Sequence, residues 1–291
     1  MPSLPKLFLP LLLFSALGLL VTRQAHAADL PPAPVPTDVS AMLEPIRAKY
    51  KMPCLAAMTI RGDQIIAQGI TGVRKVGSPE KATLDDQFHL GSDTKAMTAT
   101  LIALLVEEGK LRWSTTVGDV FGEVYPKMDP AWKPVTLEQL LRHRGGAPAN
   151  LDANGLWVKL GQRVGTPLAQ RRQLVEGVVT VPPVNKPGTT YLYSNAGYAI
   201  AGAMAEKVTG VPWEDLLRDK IFTPLGITSG GFGAPGMSGK VDEPWGHTTT
   251  GKPVEPGPNA DNPPAIGPAG TVHMTLGDWA KFIALHLRGD A

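Results

Sequence analysis

Two short groups of residues carry side chains that could activate a serine for attack on a carbonyl group. The first is Ser92-x-x-Lys95, in which the hydroxyl and the amine are three positions apart and share one face of a helix. A serine becomes a nucleophile when a neighbouring base takes its proton, and lysine serves as that base when its pKa is lowered. Burial lowers a lysine pKa, so the apolar sequence that follows Lys95 favours this chemistry.

A second match to this spacing, Ser78 to Lys81, is the alternative nucleophile. It lies in a polar, proline-containing stretch, whereas the residues from Thr94 to Val106 are nearly all apolar or small. A helix that is apolar on all sides is expected to be buried, and its N-terminus carries a positive dipole that stabilises an oxyanion. The context therefore selects Ser92, with a solvated Lys95 of no catalytic role as the competing interpretation.

The second group is Tyr193-Ser194-Asn195, which also precedes an apolar segment. A tyrosine phenol can shuttle a proton when a neighbouring lysine lowers its pKa. An asparagine amide can orient either a substrate carbonyl or the lysine. Alone, this tripeptide is typical of an ordinary loop before a helix, so its catalytic interpretation depends on pairing with Ser92 and Lys95.

In that order along the chain, residues 88–95 (Phe-His-Leu-Gly-Ser-Asp-Thr-Lys) and 193–195 resemble the penicillin-recognising serine enzymes. The similarity is greatest to the branch that holds class C β-lactamases, D-alanyl-D-alanine peptidases and β-lactamase-like esterases. Residues 137–146 and the Pro-Ala-Gly-Thr segment 268–271 are similar to further parts of that family. The resemblance covers about Asp38 to the last residue.

This resemblance implies an α+β fold of the β-lactamase/transpeptidase type, with an antiparallel sheet, a helical cluster and the serine at their junction. It also implies two-step acyl transfer without a cofactor. Ser92 would attack a carbonyl, Lys95 and Tyr193 would move the proton, Asn195 would orient the substrate, and water would release the acyl group. The implied substrate is a small molecule or a peptidoglycan-derived one: a β-lactam, a D-alanyl peptide or an ester.

Two other functions remain open. One is a non-hydrolytic penicillin-binding or sensor-type homologue on the same scaffold. The other is a Ser-His-Asp esterase, which would need His89 or His143 as its base. No metal is expected, because none of the six histidines falls in a spacing typical of metal ligands.

The family's third motif, Lys-Thr-Gly or a His-containing variant on a sheet strand, is not found after residues 268–271. Residues 207–210 (Lys-Val-Thr-Gly) end a predicted helix and lie too close to Tyr193 in sequence. We therefore expect the terminal sheet strands to be missing and the domain to be incomplete at its C-terminus. By the resemblance, a missing strand also supplies one oxyanion donor, whose loss typically costs about 10²–10³ in rate. We expect slow turnover of a chromogenic cephalosporin by residues 28–291.

The elements around these groups are predicted from caps and periodicity. A helix is expected from Ser40 to about Lys51, and two strands, Cys54–Arg61 and Gln64–Thr71, are expected to form a hairpin through Gly62-Asp63. Thr136 begins a capping box, and Thr166-Pro167 places proline at the first helical position. Further helices are predicted for residues 196–208, 212–222 and from Thr275 onward, and the Gly- and Pro-rich stretch 228–271 has little periodicity.

Residues 1–27 are predicted to be a signal peptide, because Lys6 precedes a short apolar stretch and Ala25-His26-Ala27 is a small-x-small cleavage pattern. The protein is thus expected to be exported, periplasmic or secreted, with no stable membrane anchor after cleavage. A Pro-rich lead-in (28–37) and a hydrolase domain (38–291) follow.

Composition excludes one class of partner. Lys6 and Arg23 account for the formal net charge of +2, so the remaining chain is neutral and offers no basic surface for nucleic acid.

Cys54 is the single cysteine, so no internal disulfide can form, and its apolar surroundings predict a buried side chain rather than a catalytic thiol. The oligomeric state is left open by the sequence.

Overall fold

The computed structural model describes residues 35–152 and 155–289. The predicted signal peptide and residues 28–34 of the predicted lead-in lie outside these ranges. Within them, no helix is both long enough and apolar enough to cross a membrane.

Strands and helices are largely segregated along the chain, with a long run of helices between β4 and β5, in agreement with the predicted α+β class. The helices are α1 (Ser40–Lys49), α2 (Thr94–Glu107), α3 (Val117–Phe121), α4 (Leu137–Leu141), α5 (Leu156–Gly161), α6 (Pro167–Val179), α7 (Asn195–Thr209), α8 (Trp213–Leu217), α9 (Gly267–Gly270) and α10 (Leu276–Arg288). The strands are β1 (Thr37–Asp38), β2 (Cys54–Arg61), β3 (Gln64–Gly72), β4 (Gln87–His89), β5 (Gly231–Phe232), β6 (Gly246–His247), β7 (Pro253–Val254) and β8 (Val272–Thr275).

The predicted hairpin is present. Strands β2 and β3 pair antiparallel from Cys54 opposite Gly72 to Arg61 opposite Gln64, and Gly62 makes the turn with φ of +56°. β1 pairs in parallel with β3, so the sheet begins at Thr37. Thr37 is the last residue of the segment 28–37 that was predicted to be an unpacked lead-in. Among the described residues, β2 has no strand on its other edge.

A second small sheet lies directly before the candidate nucleophile. It has the order β4-β8-β5, with Phe88 opposite Met274 and His89 opposite His273. The pairing extends one residue beyond β4, because the Leu90 N–H donates to the Val272 carbonyl at 2.9 Å. Residues 91–93 therefore leave the sheet at a fixed position and turn into α2.

Packing in the helical cluster centres on α7, in which eleven of the fifteen residues are buried. Ser194 caps this helix by accepting a hydrogen bond from the Gly197 N–H, and Gly210 ends it in the left-handed conformation. Gly202 is required for packing, because a Cβ there would lie 2.4 Å from Cγ of Pro268. This close approach brings α9 against α7.

The prediction that α2 is buried on all sides was wrong. Half of its fourteen residues are buried, including Met97 and Leu101, whereas Ala96 is exposed and Thr100 is half-buried. The buried face packs against α7, α8 and α9.

Candidate active site

Ser92 lies in a tight turn, Gly91–Asp93, that leads from β4 into α2. Gly91 has φ of +53°, a left-handed conformation that glycine adopts without strain. The turn leaves Ser92 exposed, while Lys95, one helical turn further on, is only 6% exposed. An accessible hydroxyl and a buried amine therefore lie next to each other at the start of α2.

The Lys95 ammonium has three hydrogen-bond acceptors around it. Its Nζ donates to Ser92 Oγ at 3.1 Å, to Asn195 Oδ1 at 2.8 Å and to the Ala269 carbonyl at 2.6 Å. Two of these acceptors, the amide oxygen and the carbonyl, can only accept, whereas the serine hydroxyl can also donate. When Lys95 loses a proton, its two remaining N–H groups satisfy the acceptor-only pair and its lone pair is left for Ser92 Oγ.

Tyr193 completes the contacts of the candidate nucleophile. Its phenol oxygen lies 2.5 Å from Ser92 Oγ, and Lys95 Nζ lies 4.7 Å from the centre of its ring. Burial lowers the pKa of Lys95. Burial by itself would raise the pKa of Tyr193, but the interactions with Lys95 and Ser92 outweigh it and lower that pKa. Both changes bring the pKa of the group concerned closer to neutral pH, which favours proton transfer through Lys95 and Tyr193.

A threonine pair holds the segment that supplies the Ala269 carbonyl. Thr94 Oγ1 accepts from the Val272 N–H at 3.1 Å, and Thr98 Oγ1 donates to the Pro268 carbonyl at 2.8 Å. Thr94 and Thr98 are four residues apart on α2 and bracket Lys95. Residues 268–271 stood out in the sequence only as a family similarity, and their contact with the lysine was not predicted. The spacing of these two threonines on either side of Lys95, on a mainly apolar helix, was the available signal.

His143 is the second feature that the sequence analysis did not place. Its carbonyl accepts from the Leu192 N–H at 2.8 Å, and its Nδ1 accepts from the Ser194 N–H at 3.1 Å. Its ring packs against that of Tyr193, with 4.6 Å between the centroids. His143 therefore holds the loop that carries Tyr193 from both its backbone and its side chain.

Neither histidine proposed as an alternative base is hydrogen-bonded to Ser92. Nδ1 of His143 is occupied by the Ser194 N–H, as described above. His89 accepts from the Gly91 N–H at 3.0 Å through Nδ1 and contacts Asp261 at 3.0 Å through Nε2. The geometry therefore favours the lysine and tyrosine over a Ser-His-Asp triad.

The competing serine and the cysteine have other environments. Ser78 is in an exposed loop, where its hydroxyl donates to the Glu80 carboxylate, and no buried lysine accompanies it. Cys54 is half-buried rather than fully buried, and burial raises the pKa of its thiol to about 11. A thiol with this pKa is a poor nucleophile at neutral pH.

The contacts of His143 lead to a testable prediction. His143 has φ of +57°, a conformation that asparagine tolerates, and the asparagine side-chain oxygen can replace Nδ1 as acceptor for the Ser194 N–H. We expect His143→Asn to keep most of the activity and His143→Leu to lose roughly 10-fold or more in kcat, with a smaller change in KM. Steady-state kinetics on one ester substrate measure the difference, and equal losses in the two variants would rule out the hydrogen bond as the reason.

A pH dependence accompanies this role. Burial and the nearby Lys95 charge lower the pKa of His143, so the ring stays neutral and can accept at neutral pH. Because the folded protein resists protonation of this ring, stability declines as the pH falls below the ordinary histidine pKa of about 6.5, and the hydrogen bond itself is lost only at lower pH, below the lowered pKa of the folded ring. The wild-type rate is therefore expected to fall on the acid side, and the His143→Asn variant to lose that part of the pH dependence.

The fold and the Ser-Lys-Tyr arrangement are those of one class of protein, the class with a β-lactamase-type fold. The family model described as Beta-lactamase matches residues 39–291, and the chain belongs to this family. Penicillin-binding protein 4 of Amycolatopsis lactamdurans is 31% identical over 83% of this chain and 61% of its own length. Lovastatin esterase of Penicillium rubens is 31% identical over 56% of this chain and 44% of its own length.

The solved structures agree with the sequence comparison. The octameric penicillin-binding protein homologue from Pyrococcus abyssi superposes with a TM-score of 0.68 and 26% identity, over 86% of this chain and 56% of that one. The β-lactamase/transpeptidase-like fold predicted from the sequence is thereby confirmed. The chain spans about 43–61% of the length of the first curated relatives it matches.

Proposed function

We propose that this protein is a serine hydrolase that forms an acyl-enzyme on Ser92. The observation that carries the proposal is the set of three acceptors around Lys95 Nζ, of which only Ser92 Oγ can reverse its role and donate. A neutral Lys95 in this arrangement is already oriented as a base towards the hydroxyl. Hydrogen-bond geometry, rather than sequence spacing alone, thus supports the role of each residue.

Acylation begins when Lys95 takes the proton of Ser92 as Oγ attacks a substrate carbonyl. Tyr193, at 2.5 Å from Oγ, passes a proton to the leaving group as the tetrahedral intermediate collapses. Asn195 keeps its oxygen on Lys95, which leaves its amide N–H₂ group to hydrogen-bond the substrate. In deacylation the same two groups act in reverse on a water molecule, which attacks the acyl-enzyme.

Substrates of this site are acyl compounds whose leaving group Tyr193 can protonate: a β-lactam with its strained ring, a D-alanyl peptide or an ester. The resemblance to penicillin-recognising enzymes supports the first two, and the similarity to a lovastatin esterase supports the third. The predicted signal peptide would bring the enzyme to the periplasm or the exterior, where peptidoglycan-derived peptides and β-lactams are met.

A second candidate function is penicillin binding without turnover. The similarity to penicillin-binding protein 4 favours it. The two candidates share acylation and differ only in whether water releases the acyl group. A fluorescent penicillin distinguishes them, because a hydrolase loses the label within minutes after free penicillin is removed and a binding protein retains it for hours.

The nucleophile itself can be identified by mass spectrometry. After reaction with a fluorophosphonate, we expect the adduct on the peptide that contains Ser92, because its hydroxyl is exposed and contacts Lys95. Ser92→Ala should abolish labelling. Ser78→Ala is the matched control and should label as the wild type does, since Ser78 has only Glu80 as partner. An adduct on any other serine would contradict the assignment.

A further inference from the structure

The ring of His89 is hydrogen-bonded to the turn that carries Ser92. His89 is the last residue of β4, and its Nδ1 accepts from the Gly91 N–H at 3.0 Å. Gly91 begins the turn and has φ of +53°. Because glycine adopts several backbone conformations at little cost, the residue itself does not hold the turn in this one. The histidine ring supplies an acceptor that fixes the direction of the Gly91 N–H.

The other nitrogen of this ring contacts a buried carboxylate. His89 Nε2 lies 3.0 Å from Asp261 Oδ1, and the Asp261 side chain is only 9% exposed. Nδ1 can accept from Gly91 only while it carries no proton, so a neutral ring in this position has its proton on Nε2. A carboxylate that faces Nε2 favours this tautomer. Asp261 therefore keeps Nδ1 available as an acceptor.

The segment that carries this carboxylate is itself anchored. Asp261 Oδ1 also accepts from the Asn262 N–H at 2.6 Å. The guanidinium of Arg163 donates to the backbone carbonyls of both Asp261 and Asn262. The carboxylate that faces His89 is thus held through its own side chain and through the backbone on either side of the 261–262 peptide bond.

The same dipeptide contacts the backbone beside the Lys95 acceptor. Asn262 Nδ2 donates to the Gly270 carbonyl at 3.3 Å, next in sequence to the carbonyl that accepts from Lys95. A Cβ on Gly270 would lie 3.5 Å from the carbonyl carbon and oxygen of Gly91, so this segment packs on the nucleophile turn. The dipeptide therefore reaches the surroundings of Ser92 twice, once through the histidine ring and once through Gly270.

We propose that His89 and Asp261 are positioning residues for the nucleophile. Asp261 holds the His89 ring in the tautomer with an unprotonated Nδ1. That nitrogen holds the Gly91 N–H, which sets the turn that aims Ser92 Oγ at its two proton-transfer partners. In the described structure neither side chain is hydrogen-bonded to the Ser92 hydroxyl, so both act through the turn. The inference rests on the proposed acylation of Ser92 and extends it beyond the four residues assigned there.

Two substitutions of His89 test the contact with Gly91. In His89→Asn the side-chain oxygen can accept from the N–H two residues on, as in an Asx-turn, whereas His89→Leu leaves no acceptor. We expect His89→Leu to lower the rate constant of acylation by a fluorescent penicillin about 10-fold or more, with little change in penicillin affinity, and His89→Asn to stay within about 3-fold of the wild type. His286→Leu, at an exposed histidine of α10, is the matched control and should acylate like the wild type.

Asp261→Asn tests the role of the carboxylate. Its amide can turn an N–H towards Nε2, which favours a proton on Nδ1 and removes the acceptor for Gly91. We expect acylation to slow about 5-fold or more. Added to His89→Asn, the same substitution should cost nothing further, because no ring is left for Asp261 to orient.

Long-range ¹H–¹⁵N correlation spectra of the histidine rings report the tautomer directly, at about pH 8, where an ordinary histidine is neutral. The His89 signals are assigned by their absence from His89→Asn. We expect a protonated Nε2 and an unprotonated Nδ1 in the wild type, and a proton on Nδ1 in part of the Asp261→Asn molecules. Thermal unfolding shows that each variant is folded, and the wild-type spectrum does not depend on any variant rate.

An unchanged acylation rate in His89→Leu, equal losses in His89→Leu and His89→Asn, or an additive loss in the double variant would overturn the proposal. A wild-type spectrum with the proton of His89 on Nδ1 would overturn it as well. A wild type that is never acylated at Ser92 would instead contradict the proposed function. The spectra need no substrate and would still decide whether Asp261 sets the tautomer that holds the turn.

Discussion

Replacement of Lys95 by arginine should lower the rate of acylation by about 10²–10⁴-fold, the range expected for loss of a positioned general base. Arginine keeps the positive charge but does not deprotonate in proteins, so it cannot take the Ser92 proton. Stopped-flow labelling with a fluorescent penicillin measures the acylation step directly. A near-normal rate would show that Lys95 acts only through its charge.

Lys81→Arg is the matched control. It makes the same chemical change in the other Ser-x-x-Lys sequence, at an exposed position outside the described site. We expect this variant to acylate at the wild-type rate. Circular dichroism and the melting temperature of Lys95→Arg show whether the buried guanidinium is tolerated. Lys95→Met provides a second variant, which leaves no buried charge and has the same expected loss of acylation rate.

The pH profile gives an independent test of the same lysine. Because burial lowers the pKa of Lys95, the neutral form that acts as a base is populated at lower pH than for an ordinary lysine, with its pKa near 10.5. The acylation rate of the wild type should therefore rise with pH and level off below that value. A profile that rises only around pH 10.5 would mean that the lysine is solvated in the free enzyme.

Local signals in the sequence were enough to predict most of the elements that carry the site. The hairpin of β2 and β3, the cap of α4 at Thr136 and the start of α6 at Thr166-Pro167 were all predicted with bounds close to those observed. Each is determined by residues within a few positions of one another: a turn glycine, a capping hydroxyl or a proline. Ser92 and Tyr193 were placed at the beginnings of helices for the same reason.

Contacts between distant segments were not predictable in this way. The Ala269 carbonyl that accepts from Lys95 is a backbone group 174 positions away, and a backbone carbonyl has no signature in the sequence. The strand at Thr37 is two residues long and depends entirely on β3. His143 was weighed only as a base, because its position behind Tyr193 depends on how the loop after α4 folds back onto the start of α7.

Stability of the helical cluster depends on a buried ion cluster that the sequence analysis did not recognise. The Arg171 side chain is fully buried in α6, and its guanidinium contacts Glu206 Oε1 and Glu214 Oε2, both at 2.8 Å. Glu206 Oε1 also accepts from the backbone N–H of Trp213 at 2.9 Å. One arginine thus joins α6 to α7 and α8, and its Nη1 fixes the Pro264 carbonyl at 2.9 Å just before α9.

Arg171→Met should therefore lower the free energy of unfolding by about 3–5 kcal/mol, because it leaves the buried Glu206 carboxylate and the half-buried Glu214 carboxylate without their cation. Urea denaturation measures the change. Arg172→Met is the matched control, since this neighbouring side chain is exposed, and it should unfold like the wild type.

The pH dependence of this loss identifies its cause. Carboxylates stranded in an apolar site have a raised pKa, so the folded variant binds protons more readily than the unfolded chain, in which the glutamate pKa is about 4.3. The stability of Arg171→Met should accordingly improve relative to the wild type as the pH falls towards that value. Glu206→Gln and Glu214→Gln added to Arg171→Met should recover part of the loss at neutral pH. A deficit that is independent of pH and unaffected by the two glutamines would mean that lost packing of the arginine side chain, rather than unpaired charge, causes the instability.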